Sequence, residues 1–160
     1  MSRYTEIYKN EKYRARLTRL AGLERERRFC LHNTAHFLDV ARIMYIIALE
    51  ENITISRDII YAAALLHDMG RVEQYEKGIP HNIAGADLAA ELLPVCGYTD
   101  EETECICSAI RCHRGSSESA RSGLAELLYR ADKLSRRCYD CAAEKECYWD
   151  KKRKNNEINY

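Results

Sequence analysis

Proline is scarce in this chain, two residues in 160, and glycine is not much commoner at seven. So few helix breakers leave room for long uninterrupted helices and exclude a collagen-like or Pro/Gly-rich disordered chain. Charge of one sign is lacking as well. Lys+Arg 25 against Asp+Glu 25 gives a formal net charge of zero, without the basic surplus of a nucleic-acid or membrane-surface binder. No nucleic-acid partner is expected. No stretch approaches the roughly 20 apolar residues of a membrane span. The opening MSRYTEIYKNEKYRARLTRL is too polar for a signal peptide. A cytoplasmic protein without a membrane partner is therefore expected. Strand-period alternation and internal repeats are missing too.

What is present is a chain long enough to bury a real core, 46% hydrophobic and 31% charged, as suits one domain of ordinary size. Residues 7–29 are helix formers with Leu17, Leu20 and Leu23 at three-residue spacing, predicting one N-terminal helix. Between Asn33 and Glu50 the apolar set Phe37, Val40, Ala41, Met44, Ile47 and Ala48 has the spacing of an amphipathic helix, with Asn33 as N-cap. Ser56 starts a third helix whose apolar IIYAAALL runs to His67, and Gly70 is read as its end. A loop is expected over 72–80, then a helix over 82–95 closed by Gly97. Thr99 and Glu102 form a capping box for a helix ending near His113; 115–122 reads as a loop and 123–136 as a last helix. The expected fold is all-α, a single bundle of about six helices.

All five histidines, 32, 36, 67, 81 and 113, fall near helix ends in this scheme. The sharpest local feature is Leu65-Leu66-His67-Asp68-Met69-Gly70, which puts an imidazole and a carboxylate at the end of a buried helix. An unpaired carboxylate there would be costly, so the structure must compensate it. A hydrogen bond or helix end is one solution. A cation is another, and imidazoles with carboxylates suit Mn, Fe, Co, Ni or Zn better than Mg or Ca.

The order His36, His67-Asp68, His81, His113, Asp132, with the flanks HFLDVAR, AAALLHDMGR, HNIAGA, AIRCHRG and YRADKLSR, resembles the HD-domain (HDIG-type) superfamily of metal-dependent phosphohydrolases. The resemblance covers residues 30 to 136. It implies a domain over 30–137, with residues 1–29 packing on it as a helix and 138–160 forming a cysteine-containing tail. It further implies that His36, His67, Asp68 and Asp132 are metal ligands. His81 and His113 match the two additional histidines of the dinuclear subgroup, with Asp68 bridging two divalent transition-metal ions. The implied activity is cleavage of a phosphate ester or phosphoanhydride, on a small phosphorylated and nucleotide-type substrate, by a metal-activated hydroxide. Such a pair acts on both oxygens of an in-line displacement.

Asp68 and His32 are the catalytic candidates. His32-Asn33-Thr34-Ala35-His36 resembles the HNxxH of cyclic nucleotide phosphodiesterases, in which the first histidine protonates the leaving oxygen; a supporting or capping histidine is the other reading. Arg71 and Lys133 are candidates for substrate phosphate, the first bidentate and the second as a point charge. Arg111, Arg114, Arg130, Arg136 and Arg137 add positive charge around them. Two further readings stand beside hydrolysis: a mixed-valent di-iron oxygenase of the same superfamily, and a non-catalytic nucleotide-binding or redox-sensing module.

The eight cysteines, without an export signal, are expected as thiols. Cys96, Cys105, Cys107 and Cys112 are read as core. Cys138, Cys141 and Cys147 have the spacing of a second metal or cluster site that lacks a fourth ligand, for which Cys30 is a candidate; packing of the tail is the alternative. The KKRK near the C-terminus reads as solvated.

Overall fold

The structure is a computed structural model and describes residues 2–114 and 123–160; the loop expected over 115–122 lies outside the described residues. Eight α-helices follow one another among the described residues: α1 Arg3–Lys9, α2 Glu11–Leu23, α3 Thr34–Glu50, α4 Arg57–Leu66, α5 Arg71–Lys77, α6 His81–Val95, α7 Asp100–Cys112 and α8 Leu124–Leu134. No strand occurs among them, so the all-α expectation holds, with more helices than the six expected.

Two differences have local causes. The single N-terminal helix is broken at Asn10, whose side chain accepts from the backbone N–H of Lys12 at 2.9 Å and of Tyr13 at 3.4 Å. That makes Asn10 the N-cap of a second helix rather than the interior of one. The loop expected over 72–80 is mostly helix α5, closed by Gly78 with φ +71°. Only Val72 of its seven residues is buried, so α5 leaves too little apolar periodicity to be read.

Helices α3, α4, α6, α7 and α8 surround the core, and α1 and α2 join it from outside through Ile7, Tyr13 and Leu20, all fully buried. Burying each such side chain contributes about 1.5–3 kcal/mol. The Tyr13 hydroxyl donates to the carbonyl of Leu65, 3.1 Å away, which pins α2 to the last turn of α4. Arg3 grips Glu102 with two nitrogens at 2.5 and 2.9 Å and Asp58 at 3.3 Å, tying α1 to α7 and α4. The capping box of α7 is present as expected.

Gly70 follows the His67-Asp68 turn, but it is not a left-handed helix terminator; its φ is −72°. Space is what requires glycine here. A Cβ at this position would lie 2.2 Å from the carbonyl oxygen of His81 and 2.3 Å from the backbone nitrogen of Gly85. The turn between α4 and α5 therefore packs backbone to backbone against the start of α6. Gly70→Ala is expected to destabilise the fold by about 3 kcal/mol or more, read as a lowered urea midpoint. A midpoint within error of wild type would contradict this packing.

Candidate metal centre

Helix ends aim the site. His36 lies in the first turn of α3, where its backbone N–H donates to the N-cap side chain of Asn33 at 3.0 Å. His67 caps the C-terminus of α4 and Asp68 follows it; His81 opens α6, and His113 caps α7. Asp132 comes from the last turns of α8. All except His36, which is half-buried, are buried among apolar residues such as Phe37 and Met69.

The six side chains converge as two groups that share Asp68: His36, His67, Asp68 and Asp132 in one, and Asp68, His81 and His113 in the other, with the ligand atoms of each within 4.8 Å of one another. Asp68 Oδ2 lies 3.1 Å from His67 Nε2 and 3.8 Å from His36 Nε2. Its other oxygen, Oδ1, lies 3.3 Å from His81 Nε2 and 3.9 Å from His113 Nε2. Asp132 Oδ1 lies 3.7 Å from His36 Nε2 and 4.0 Å from His67 Nε2. Oδ1 of Asp68 thus faces the pair His81 and His113, and Oδ2 the pair His36 and His67, with His32 also beside Oδ2.

The far nitrogens of these rings fix their tautomers. Nδ1 of His67 meets the Ala64 carbonyl at 2.8 Å, that of His113 the Ile110 carbonyl at 2.6 Å, and that of His81 the Gln74 Oε1 at 2.5 Å. These acceptors demand Nδ1–H. His36 Nδ1 meets Ser135 Oγ at 3.3 Å, and that hydroxyl donates to the Asp132 carbonyl at 2.9 Å, so Ser135 is left to accept from His36. Every Nε2 lone pair then points at the centre. His36 Nε2 and His67 Nε2 are buried without a hydrogen-bond partner, and His81 Nε2 and His113 Nε2 face each other at 3.2 Å. Two lone pairs at that separation repel unless a proton or cation lies between them. Two donors on one transition-metal ion, each about 2.0–2.1 Å from it, stand at about this spacing. The donor set, orientation and outer hydrogen bonds therefore fit metal ions.

Electrostatics lead to the same place. Burial would raise Asp68, but His67, Arg71 and His32 hold it well below the usual carboxylate range. Asp132 is likewise lowered, burial being outweighed by Lys133, Arg136 and His67. Burial pushes His81 down to about 3 and, with His67, His113 to about 4, so both are neutral imidazoles, able to ligate, at neutral pH. At His67 burial is outweighed by Asp68 and Asp132, which raise it; a positive charge is favoured at that point, and a cation supplies what a proton otherwise would.

His32 also reaches the site, though not on the face of α3 with His36. It precedes the N-cap, with Nε2 3.5 Å from Asp68 Oδ2. Its backbone N–H and Nδ1 both meet the carboxylate of Glu24, at 2.8 and 2.5 Å, and the Tyr75 hydroxyl donates to Glu24 at 2.8 Å. Burial raises Glu24 but His32 lowers it to about 2, while burial lowers His32. Glu24, Gln74, Tyr75 and Ser135 carry no signal in the sequence, because each acts through a fold contact rather than a motif.

Arg71 and Lys133 are engaged with the carboxylates of the site: Arg71 Nε lies 2.9 Å from Asp68 Oδ1, and Lys133 Nζ lies 2.5 Å from Asp132 Oδ2. A cleft of about 90 Å³ opens over the site, with Arg27, Arg71 and Arg136 in its walls and Tyr148 and Trp149 at its rim. Of the other arginines, Arg130 pairs with Glu51, Arg137 with Asp39 and Arg111 with Glu104. The cleft's second and third arginines are thus Arg27, unanticipated, and Arg136, whose guanidinium stacks 3.6 Å over Trp149.

Cys138, Cys141 and Cys147 line, together with Cys30, a cavity of about 360 Å³ that adjoins the cleft and shares His36 and Arg136 with it. Among the core readings, Cys96 and Cys107 are buried and Cys112 half-buried, but Cys105 is exposed, on the solvent side of α7. Nor is the KKRK run wholly solvated, since the Lys154 side chain is 8% exposed and donates to the Glu144 carbonyl at 2.7 Å. No described helix is long and apolar enough to cross a membrane.

Known proteins resemble this chain. An uncharacterised protein of Clostridium beijerinckii (strain ATCC 51743 / NCIMB 8052) is 42% identical over 160 residues, the full length of both chains. The bifunctional uridylyltransferase/uridylyl-removing enzyme of Azospirillum brasilense is 39% identical over 66 residues, 41% of this chain but 7% of that enzyme. The crystal structure of a predicted HD superfamily hydrolase from an uncultured Thermotogales bacterium matches with a TM-score of 0.59 and 28% identity, over 76% of this chain and 66% of that one. The HD domain family model matches residues 34–137, from the first residue of α3 to just past α8. With the buried His/Asp groups inside that span, the chain belongs to the HD domain family.

Proposed function

We propose that the chain hydrolyses a phosphate ester or phosphoanhydride of a small, nucleotide-type substrate at a pair of divalent transition-metal ions, Fe, Mn, Co, Ni or Zn. The observation that carries this is Asp68, whose two oxygens face two separate imidazole pairs beneath an arginine-lined cleft. His36, His67, Asp68 and Asp132 would hold one ion, and Asp68, His81 and His113 the other. Bound there, the ions would supply Lewis acidity, neutralising phosphoryl oxygens and making a water more acidic.

The chain's own residues do the rest. Arg71 and Lys133 would turn from the carboxylates they now touch to the substrate phosphate, with Arg136 and Arg27 holding the remaining negative charge. His32, held by Glu24 through Nδ1, lines the cleft and, once protonated at Nε2, would give that proton to the leaving oxygen. Three arginines in so small a cleft favour a polyanion, and so favour hydrolysis over oxygenation of a carbon bond. A uridylyl group is a nucleotide held through phosphate, and the partial likeness to uridylyl-removing enzymes supports the substrate class.

Metal analysis of protein purified without chelators, followed by a phosphohydrolase panel with that metal, tests the reading. Metal-dependent turnover of a nucleotide-type substrate is expected. Tight nucleotide binding without turnover across all five metals, or oxygen uptake with a mixed-valent EPR signal, would overturn it. Asp68→Ala is expected to lose both metal and activity, and full metal content in that variant would contradict the ligand assignment. His81→Ala or His113→Ala should take the metal held by the His/Asp centre from two ions to one, whereas an unchanged count contradicts these histidines as ligands of the second ion. His32→Ala should lower kcat by about 100-fold with metal content intact; unchanged kcat would remove His32 from the mechanism. Glu24→Ala leaves the buried Nδ1 and backbone N–H of His32 unsatisfied, at about 2–3 kcal/mol in a urea titration.

A further inference from the structure

The C-terminal segment has little reason to be ordered by apolar burial. Beyond two three-residue 3-10 helices, Cys138–Asp140 and Glu144–Glu146, residues 138–160 form no regular element. Ala143 is their only buried apolar side chain. Yet the segment is folded onto the domain: Asn155 donates to the carbonyls of Leu134 and Arg136 at 2.8 and 3.0 Å, and Tyr139 N–H donates to the Asn155 carbonyl at 3.1 Å. A segment this poor in core requires another staple, a disulfide or a metal. The structure forms no disulfide among its eight cysteines.

Half of those cysteines meet at one place. Cys30, from the connection between α2 and α3, joins Cys138, Cys141 and Cys147 around the cavity of about 360 Å³. Ionised groups of both signs stand with them, Arg136, Arg137 and Lys154 against Asp39, Asp140 and Glu144, and a bound metal would itself favour the thiolates, the ligating form. Size decides what they hold. Four thiolates on one zinc ion, each about 2.3 Å from it, stand about 3.8 Å apart. Among the described residues, groups of three or more ligand atoms within 4.8 Å of one another form around Asp68 and not here. Thiols spread around a cavity larger than one ion suit a cluster in which each of four irons takes one thiolate.

We propose that Cys30, Cys138, Cys141 and Cys147 ligate a four-iron, four-sulfide cluster that staples the C-terminal segment to the domain. Cys138 and Cys147 also line the cleft above His32, His36 and Asp132. The cluster therefore sits beside the metal centre and holds in place the segment that carries Trp149 and, through it, the stacked Arg136.

The test is iron, zinc and acid-labile sulfide analysis of the full chain, produced with iron and sulfide and purified without oxygen. About four labile sulfides per chain are expected, with a broad visible absorption. Labile sulfide separates this cluster from iron at the His/Asp centre, which carries none. Cys141→Ser and Cys30→Ser should lose the sulfide and the absorption while keeping the metal of the His/Asp centre. Stoichiometric zinc without sulfide, or wild-type protein with no sulfide at all, overturns the proposal, and neither result depends on a variant folding. Sulfide retained in full by both variants overturns the ligand assignment.

Discussion

A carboxylate that is 2% exposed must be compensated from inside the protein, and the helical framework of this chain is arranged around that necessity at Asp68. Leaving such a charge unpaired would cost several kcal/mol. Helices α3, α4, α6, α7 and α8 each send a side chain toward it. Four of these residues sit at helix ends, where the backbone can turn and an imidazole can be aimed without breaking a helix interior. The carbonyls of Ala64 and Ile110, free because they belong to last turns, accept from His67 and His113. Helix termination and imidazole orientation are one event here.

The tight turn through Gly70 belongs to the same constraint. It lets the α4–α5 connection touch the backbone of α6, which brings His81 within 3.3 Å of Asp68. Without that approach the Oδ1 side of the carboxylate would have lost its nearest imidazole. The Oδ2 side depends on α3 and α8, and on Ser135, which relays the Asp132 carbonyl to His36.

How much of this was legible follows from where each residue does its work. The six ligand candidates could be read in order because their motifs and flanks resemble those of the HD-domain superfamily, and their types define a mixed nitrogen and oxygen donor set. Helix α3 and the capping box of α7 were legible from apolar spacing and a local hydrogen-bond pattern. Helix α5 was not, with one buried residue in seven, and the break at Asn10 was hidden in a run of good helix formers. Glu24 could not be found from sequence, since its bond to His32 depends on how α2 leaves the core. Arg27 and the pairing of Arg71 and Lys133 with carboxylates are equally consequences of packing. The role of Gly70 was misread for a physical reason: its sequence position suits a helix terminator, while the structure needs its missing Cβ.

The C-terminal cysteines extend the same logic to the rim of the cleft, where a segment without a core is positioned by polar contacts and by thiols that meet across the chain. Everything at the centre nevertheless rests on Asp68 serving two groups at once. Anomalous diffraction from crystals of the chain soaked in a manganese salt measures this directly. Two peaks are expected, one on each side of the Asp68 carboxylate, the first beside His36, His67 and Asp132 and the second beside His81 and His113. A single peak away from Asp68, or none at that carboxylate, would contradict the account.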